Sequence, residues 1–353
     1  MRKDILGRPT QTLLFFVLLT TSLYFAKSFL IPVFLAWLLA LLFVPVSNKL
    51  EQKGWKRGLA TLACVLAVVV AIGGLVTLLG FQLQGLAKDT TQIETKVKGR
   101  IAELQGYISE HFGVSPQKQQ EMVKKQQGGS GGGGGGGGQA GKIVGGVVTG
   151  ALGTLGNFVL VMVYMFLFLF FRAHFKKFLM KAVSEQNKTK AGQVMQESGV
   201  AVQRYLGGLS LMIVCLWVMY GIGFSIAGVK YALFFAVLCG LLEIVPFIGN
   251  LTGSLLTLLM ALSQGDNGAV IGVIITYALV QFIQTYLLEP LVVGAGVKIH
   301  PAFTIMAIVV GELVWGVAGM VMALPILAIV KIVLDKIPEL KPYGFLVGNE
   351  KEE

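Results

Sequence analysis

Glu243 stands three residues before Pro246 in a run, 231–263, that is otherwise almost wholly apolar. Proline lacks a backbone donor and clashes with the carbonyl four residues back, so a helix through this run must break or kink. The break frees carbonyls beside a carboxylate, and together they suit a cation, or a proton that hops on and off. An ionised carboxylate in hydrocarbon costs on the order of 3 kcal/mol or more, so Glu243 must face protein or water, or carry a proton. The plainer alternative is a structural carboxylate that bonds backbone amides exposed at the break. Gly249 and Asn250 close the interrupting stretch, 243–250. In the next run Gln281 and Gln284 share a helix face with Leu288, and Glu289-Pro290 ends the segment. The two amides suit either a cavity lining or hydrogen bonds between helices, and Glu289 either a pathway or an interface. His300-Pro301 opens the last run, where a histidine serves as a ligand or, more plainly, as a helix-start residue. Glu312 lies about a dozen residues further on, a depth near mid-membrane for a helix rising about 1.5 Å per residue. Gly311, Gly316, Gly319 and Ala323 give that run a small-residue face suited to close helix packing, and Pro325 follows.

These residues need a membrane around them. The chain of 353 residues is 55% hydrophobic and 13% charged, about half the charged fraction of a soluble domain, and its apolar runs are long. The expected class is an all-α, polytopic integral membrane protein. The formal net charge of +11 comes from basic residues in the connections between apolar runs. Topology accounts for them better than nucleic acid does, and no nucleic-acid partner is expected. Cys64, Cys215 and Cys239 all lie in apolar segments without metal-ligand spacing, and His111, His174 and His300 are far apart. No zinc-protease, nucleophile-elbow or phosphate-loop motif is present, so neither enzyme chemistry nor a cofactor or metal is expected. An intramembrane protease would need paired aspartates or a Ser/His pair at depth, whereas Asp266 and Asp335 sit at segment ends.

Taken in order, 1–80 reads as the N-terminal membrane segments. Runs 11–29 and 33–46 form a hairpin turned at Lys27 and Pro32, and 59–80 is a third span. The stretch 81–127 is polar. Ile93, Val97, Ile101, Leu104, Ile108 and Phe112 recur at steps of four and three, one apolar stripe on a helical arm outside the membrane. That stripe packs on the protein itself, on a neighbouring subunit, or on lipid. Ser115-Pro116 suits the start of a second short helix. The stretch 128–142 carries the glycine run 128–138 and reads as a flexible linker. The main transport region is 143–336. It includes the basic connection 172–205, whose charges suit the cytoplasmic face and anionic lipid headgroups, and 337–353 is a cytoplasmic tail. If each run crosses once, there are about eight transmembrane helices with broken or re-entrant segments, and both termini lie in the cytoplasm. The rival topology folds 231–263 into a hairpin around Pro246, and a second hairpin near 294–300 would restore the parity.

The order and spacing of these motifs resemble the autoinducer-2 exporter family of bacterial membrane proteins over nearly the whole chain. Val245-Pro246-Phe247-Ile248-Gly249 matches the family's I-P-x-x-G element. Gln281 through Pro290 to Gly294 matches its Q…P-x-x-x-G element, and His300-Pro301 matches its histidine-proline pair. Gly311, Gly316, Gly319 and Pro325 match its glycine-rich tail. Asn250 stands where the family often has proline, and the run 128–138 is not a family feature. The resemblance implies a multi-pass bacterial inner-membrane protein. Some relatives are linked to export of autoinducer-2, a small polar signal in quorum sensing, and others to sodium(lithium)/proton antiport.

Together these readings give secondary transport that exports a small polar solute through the broken segments, driven by an ion or substrate gradient because no ATP-binding motif is present. Glu243, Pro246, Gly249, Asn250, Gln281, Gln284, Glu289, Pro290, His300 and Glu312 are the candidate pathway. Sodium(lithium)/proton antiport is the runner-up. A non-transporting scaffold or lipid-handling assembly that works through the arm is the alternative of another class. Membrane lipid, the solute, a proton or sodium, and further copies of the chain are the expected partners.

Overall fold

The computed structural model describes residues 7–112, 156–244, 248–293 and 299–348. They are overwhelmingly helical, and their only β-type pairing is an isolated bridge between Ile299 and Gly348. Helix α1 is Gly7–Phe25, α2 is Lys27–Gln52 and α3 is Arg57–Phe112. Helix α4, Gly156–Phe170, bends by 66° at Phe171 into α5, Arg172–Ala182. Then follow α6 (Lys188–Ile226), α7 (Ala232–Leu242), α8 (Ile248–Gln264) and α9 (Asn267–Ile283), the last running into a π-helix, Gln284–Val293. Helices α10 (Pro301–Trp315), α11 (Val317–Lys336) and α12 (Lys341–Val347) complete the described chain. Five of the described helices are long and apolar enough to cross a membrane, or six if the bent α4–α5 pair is one span. Their outward faces are apolar, with Ile271, Ile274 and Leu279 of α9 exposed, as lipid contact requires.

Among the described residues two apolar runs fold back on themselves, as broken or re-entrant segments. Cys239 of α7 and Thr257 of α8 are 18 residues apart, yet Sγ and Oγ1 lie 3.6 Å from each other. One straight helix would separate them by about 27 Å, so α7 and α8 form a hairpin. At 11 residues α7 covers roughly half of a ~30 Å hydrocarbon core. The run 231–263 therefore does not cross once as expected; it enters and returns.

The last run behaves the same way. Gly316 adopts φ 61° and ψ −142°, a backbone that ends α10 and reverses the chain. A Cβ on Gly319 would lie 1.9 Å from the Gly311 carbonyl oxygen, so α10 and α11 pack backbone to backbone. Gly311 and Gly319 thus meet within one hairpin rather than between separate spans. Pro325 is buried inside α11.

The two hairpins enter from opposite ends of α6. That helix rises about 44 Å between Glu197 and Ile226. The α7–α8 hairpin follows directly from its Ile226 end, where a Cβ on Gly272 of α9 would lie 2.5 Å from Ala227. The α10–α11 hairpin belongs to the other end, where Lys336 pairs with Glu197 at 2.7 Å. The Ile299–Gly348 bridge closes the base of this second hairpin.

Near the N-terminus the expected turn at Lys27 and Pro32 is absent. Pro32 is buried inside α2, and the interruption is the single residue Ala26. The Ala26 N–H still donates to Ser22 O and the Leu30 N–H to Ala26 O, so the hydrogen-bond ladder runs on. A membrane helix tolerates the proline because neighbouring protein covers it. The third span and the arm are one continuous helix, α3, about 84 Å long at 56 residues. The arm's apolar side chains at 93–112, the short helix expected from Ser115, and the linker 128–142 lie outside the described residues.

Buried residues of α6 to α9 make the largest core, around Leu216, Tyr220, Phe224, Phe235, Met260 and Val273. A second core joins α2, α3 and α4 around Ala36, Cys64, Met165 and Leu169. Arg172, at the α4–α5 bend, ties this core to the end of α2. Its guanidinium donates to Glu51 Oε1 at 2.8 Å, Ser47 Oγ at 2.9 Å and Asn48 Oδ1 at 2.7 Å. Arg172→Ala is expected to lower stability by about 1–3 kcal/mol, the scale of a half-buried, charge-assisted bond, measured as denaturant or thermal unfolding in detergent. An unchanged midpoint would mean that solvent compensates the three acceptors fully.

Candidate functional site

The α7–α8 hairpin tip, the α9–π junction and the middle of α6 surround a cavity of about 700 Å³. Each wall follows from its helix. Tyr205, Leu209 and Met212 recur at helical spacing on α6 and share one face. Tyr277, Gln281, Gln284 and Thr285 do the same on α9 and into the π-helix. Glu243 and Ile244 come from the end of α7, Asn250 and Leu251 from the start of α8, and Leu324 from α11. The π-helix contains Pro290, which has no N–H to give the i→i−4 bond of an α-helix. Gln284 and Glu289 of this π-helix both line the cavity.

The polar groups form one network. Gln284 Nε2 donates to Glu243 Oε1 at 2.7 Å. Asn250 Nδ2 lies 3.4 Å from the same oxygen and also donates to Gln281 Oε1. Gln281 Nε2 reaches Thr285 Oγ1 at 3.5 Å. Gln284 is only 1% exposed although it lies in an apolar bundle. Three oxygens at the centre, Glu243 Oε2, Asn250 Oδ1 and Gln284 Oε1, are buried without a donor among the described residues. Buried polar atoms are normally paired, and leaving one bare costs about 1–3 kcal/mol. Three bare acceptors beside a cavity make a place that attracts donors or positive charge. Among the described residues no group of His, Cys, Asp and Glu side chains suits a multivalent metal.

The structure therefore gathers Glu243, Asn250, Gln281, Gln284 and Glu289 around one cavity. The others lie elsewhere. Gly249 is buried against the chain itself, where a Cβ would fall 1.6 Å from the Leu242 carbonyl oxygen. His300 is the N-cap of α10: its Nδ1 accepts the Ala302 N–H at 3.2 Å, and its own N–H donates to Val347 O at 2.9 Å. Glu312 is exposed one turn before the Gly316 tip and does not line the cavity. Pro246 lies outside the described residues, and Pro290 is described in its backbone alone. Sequence reasoning missed Tyr205, Tyr277 and Thr285. Tyr277 and Thr285 each stand four residues from Gln281, so extending that helix face would have found them.

A family model, described as AI-2E family transporter, matches residues 13–339. The chain belongs to the AI-2E transporter family. The candidate transport protein YrrI of Bacillus subtilis is 24% identical over 94% of this chain and 97% of its own length. A candidate transport protein of Mycobacterium tuberculosis is 25% identical over 84% of this chain and 80% of its own. The candidate permease PerM of Escherichia coli is 26% identical over 55% and 57%. With its apolar helices, this makes the AI-2E chain a multi-pass membrane transport protein. The family-like motifs occupy distinct places in the AI-2E fold. Gly249 lies near the start of α8 against the end of α7, Gln281 to Glu289 supply a cavity wall, and the glycine tail lies in the second hairpin.

Proposed function

We propose that this AI-2E transporter is a secondary transporter of a small polar solute, coupled to an ion gradient, with the Glu243–Asn250–Gln284 cavity as its binding site. The supporting observation is the set of three buried acceptors without donors in a cavity of about 700 Å³. A hydroxyl-rich solute supplies the missing donors, and the volume falls in the range of small-molecule sites, roughly 300–1,000 Å³. A bare ion needs only its immediate ligands. An autoinducer-2-like signal, small and rich in hydroxyls, fits this chemistry, and export from the bacterial inner membrane is the direction proposed. The sequence holds no nucleotide-binding motif, so a gradient is the energy source proposed. The basic connection 172–205 and the basic C-terminal flank are proposed to face the cytoplasm.

Sodium(lithium)/proton antiport is the second reading. The three free atoms are all oxygens and one belongs to a carboxylate, a hard donor set suited to small hard cations. Glu312, exposed and outside the cavity, is given no part in the proposed coupling. Proteoliposomes holding a pH-sensitive dye and an imposed proton gradient separate the readings. Dissipation by a polyhydroxylated solute but not by sodium or lithium supports solute export. Dissipation by sodium or lithium alone supports antiport. Glu312→Gln is expected to behave as wild type in both assays, and a loss of flux in that variant would overturn the assignment of the site to the Glu243 cavity.

A further inference from the structure

We propose that a second crevice, between α2, α5, α6 and α11, binds an anionic phospholipid, with an acyl chain along its walls and the phosphate at Lys176. The crevice holds about 340 Å³ and lies at the basic end of α6, away from the Glu243 cavity. Its walls are almost wholly apolar, among them Trp37, Leu41, Val44, Leu179 and Ile329. Three polar side chains interrupt them: Arg172, Lys176 and Ser198.

These three are not equivalent. The charge of Arg172 is already matched by Glu51. Lys176 has no ion pair or hydrogen bond among the described residues, and Lys177 and Lys181 on the same helix have none either. The crevice therefore faces an uncompensated positive field. Ser198 Oγ is buried without a partner among the described residues, and a hydroxyl is a natural donor to a phosphate oxygen. Helix α5 starts where the apolar α4 ends, and its Arg172, Lys176, Lys177 and Lys181 follow directly on that apolar segment, the charge change expected at a membrane–water boundary. A basic pocket between membrane helices at that level suits an anionic headgroup. The apolar walls choose a lipid over a soluble anion, which would leave Trp37 and Leu41 uncovered.

The test uses the full chain released from membranes containing equal amounts of phosphatidylglycerol and phosphatidylcholine. Native mass spectrometry reads which lipid stays bound. Phosphatidylglycerol is expected to be retained preferentially, with the preference falling about fivefold in Lys176→Gln, the contribution of one basic side chain near an anionic surface. Lys341→Gln, an exposed lysine outside the crevice, serves as the control and is expected to change nothing. Brominated phosphatidylglycerol locates the lipid, because it should quench a fluorescence component present in the wild type and missing in Trp37→Phe. Equal retention of the two lipids overturns the proposal. So does an equal loss in Lys341→Gln, which would make the effect a diffuse surface field, and so does equal quenching in wild type and Trp37→Phe.

Discussion

Glu243→Gln is expected to cut coupled flux in proteoliposomes by about 10- to 100-fold and to leave the unfolding midpoint within a few degrees of wild type. The first figure is the value of one charge-assisted contact, about 1.5–3 kcal/mol, at about 1.4 kcal/mol per tenfold. The second follows from what the substitution does to the network. Glutamine keeps an oxygen for the Gln284 N–H that Glu243 Oε1 now accepts at 2.7 Å. In place of the other oxygen it brings a donor into a cluster whose free atoms, Asn250 Oδ1 and Gln284 Oε1, are acceptors. The variant therefore relieves bare polar groups while removing the charge, so the fold stays and the coupling goes. Flux and midpoint, measured on one preparation, check both halves. Full flux in the variant would reduce Glu243 to a structural carboxylate at the helix break, the plain reading open from sequence.

The helix break was legible because Pro246 coincides with Glu243, Gly249 and Asn250 in an otherwise apolar run, so several helix-disfavouring residues meet at one place. The path of the chain on either side was not. An apolar run such as 231–263 is long enough to cross once or to enter and return, and hydropathy is blind to the difference. The close approach of Cys239 to Thr257 decides it, and that contact belongs to tertiary structure. The last run hid its hairpin for a related reason. Gly311 and Gly319 signal backbone contact, but composition does not say whether the partner is another helix or the same chain returning at Gly316. Pro32 shows the converse error, a proline read as a turn where buried packing keeps it inside α2. For the cavity, polar residues in apolar runs were the usable signal, and Glu243, Asn250, Gln281, Gln284 and Glu289 do meet. Glu312 has the same signal but lies apart, because depth along a run was reckoned as if the run were straight.

Gly249→Ala gives the complementary result: both flux and stability are expected to fall. A Cβ at this position would lie 1.6 Å from the Leu242 carbonyl oxygen and 2.3 Å from its carbon. The obstacle is backbone, so no rotamer change relieves it and α7 and α8 must separate at the tip. Overpacking of this kind costs about 1–3 kcal/mol, and a backbone clash belongs at the upper end. Asn250 is the next residue, so the shift also carries its amide away from Glu243 and Gln281. Further down the hairpin, Cys239 is 4% exposed against Thr257, and its thiol reports whether the two helices part. Faster labelling by a thiol reagent, a lower unfolding midpoint and lost flux are expected together in Gly249→Ala. Glu243→Gln, by contrast, should lose flux alone. Lost flux in Gly249→Ala with normal labelling and an unchanged midpoint would refute the packing role and return Gly249 to the pathway, where its position in the sequence motif first placed it.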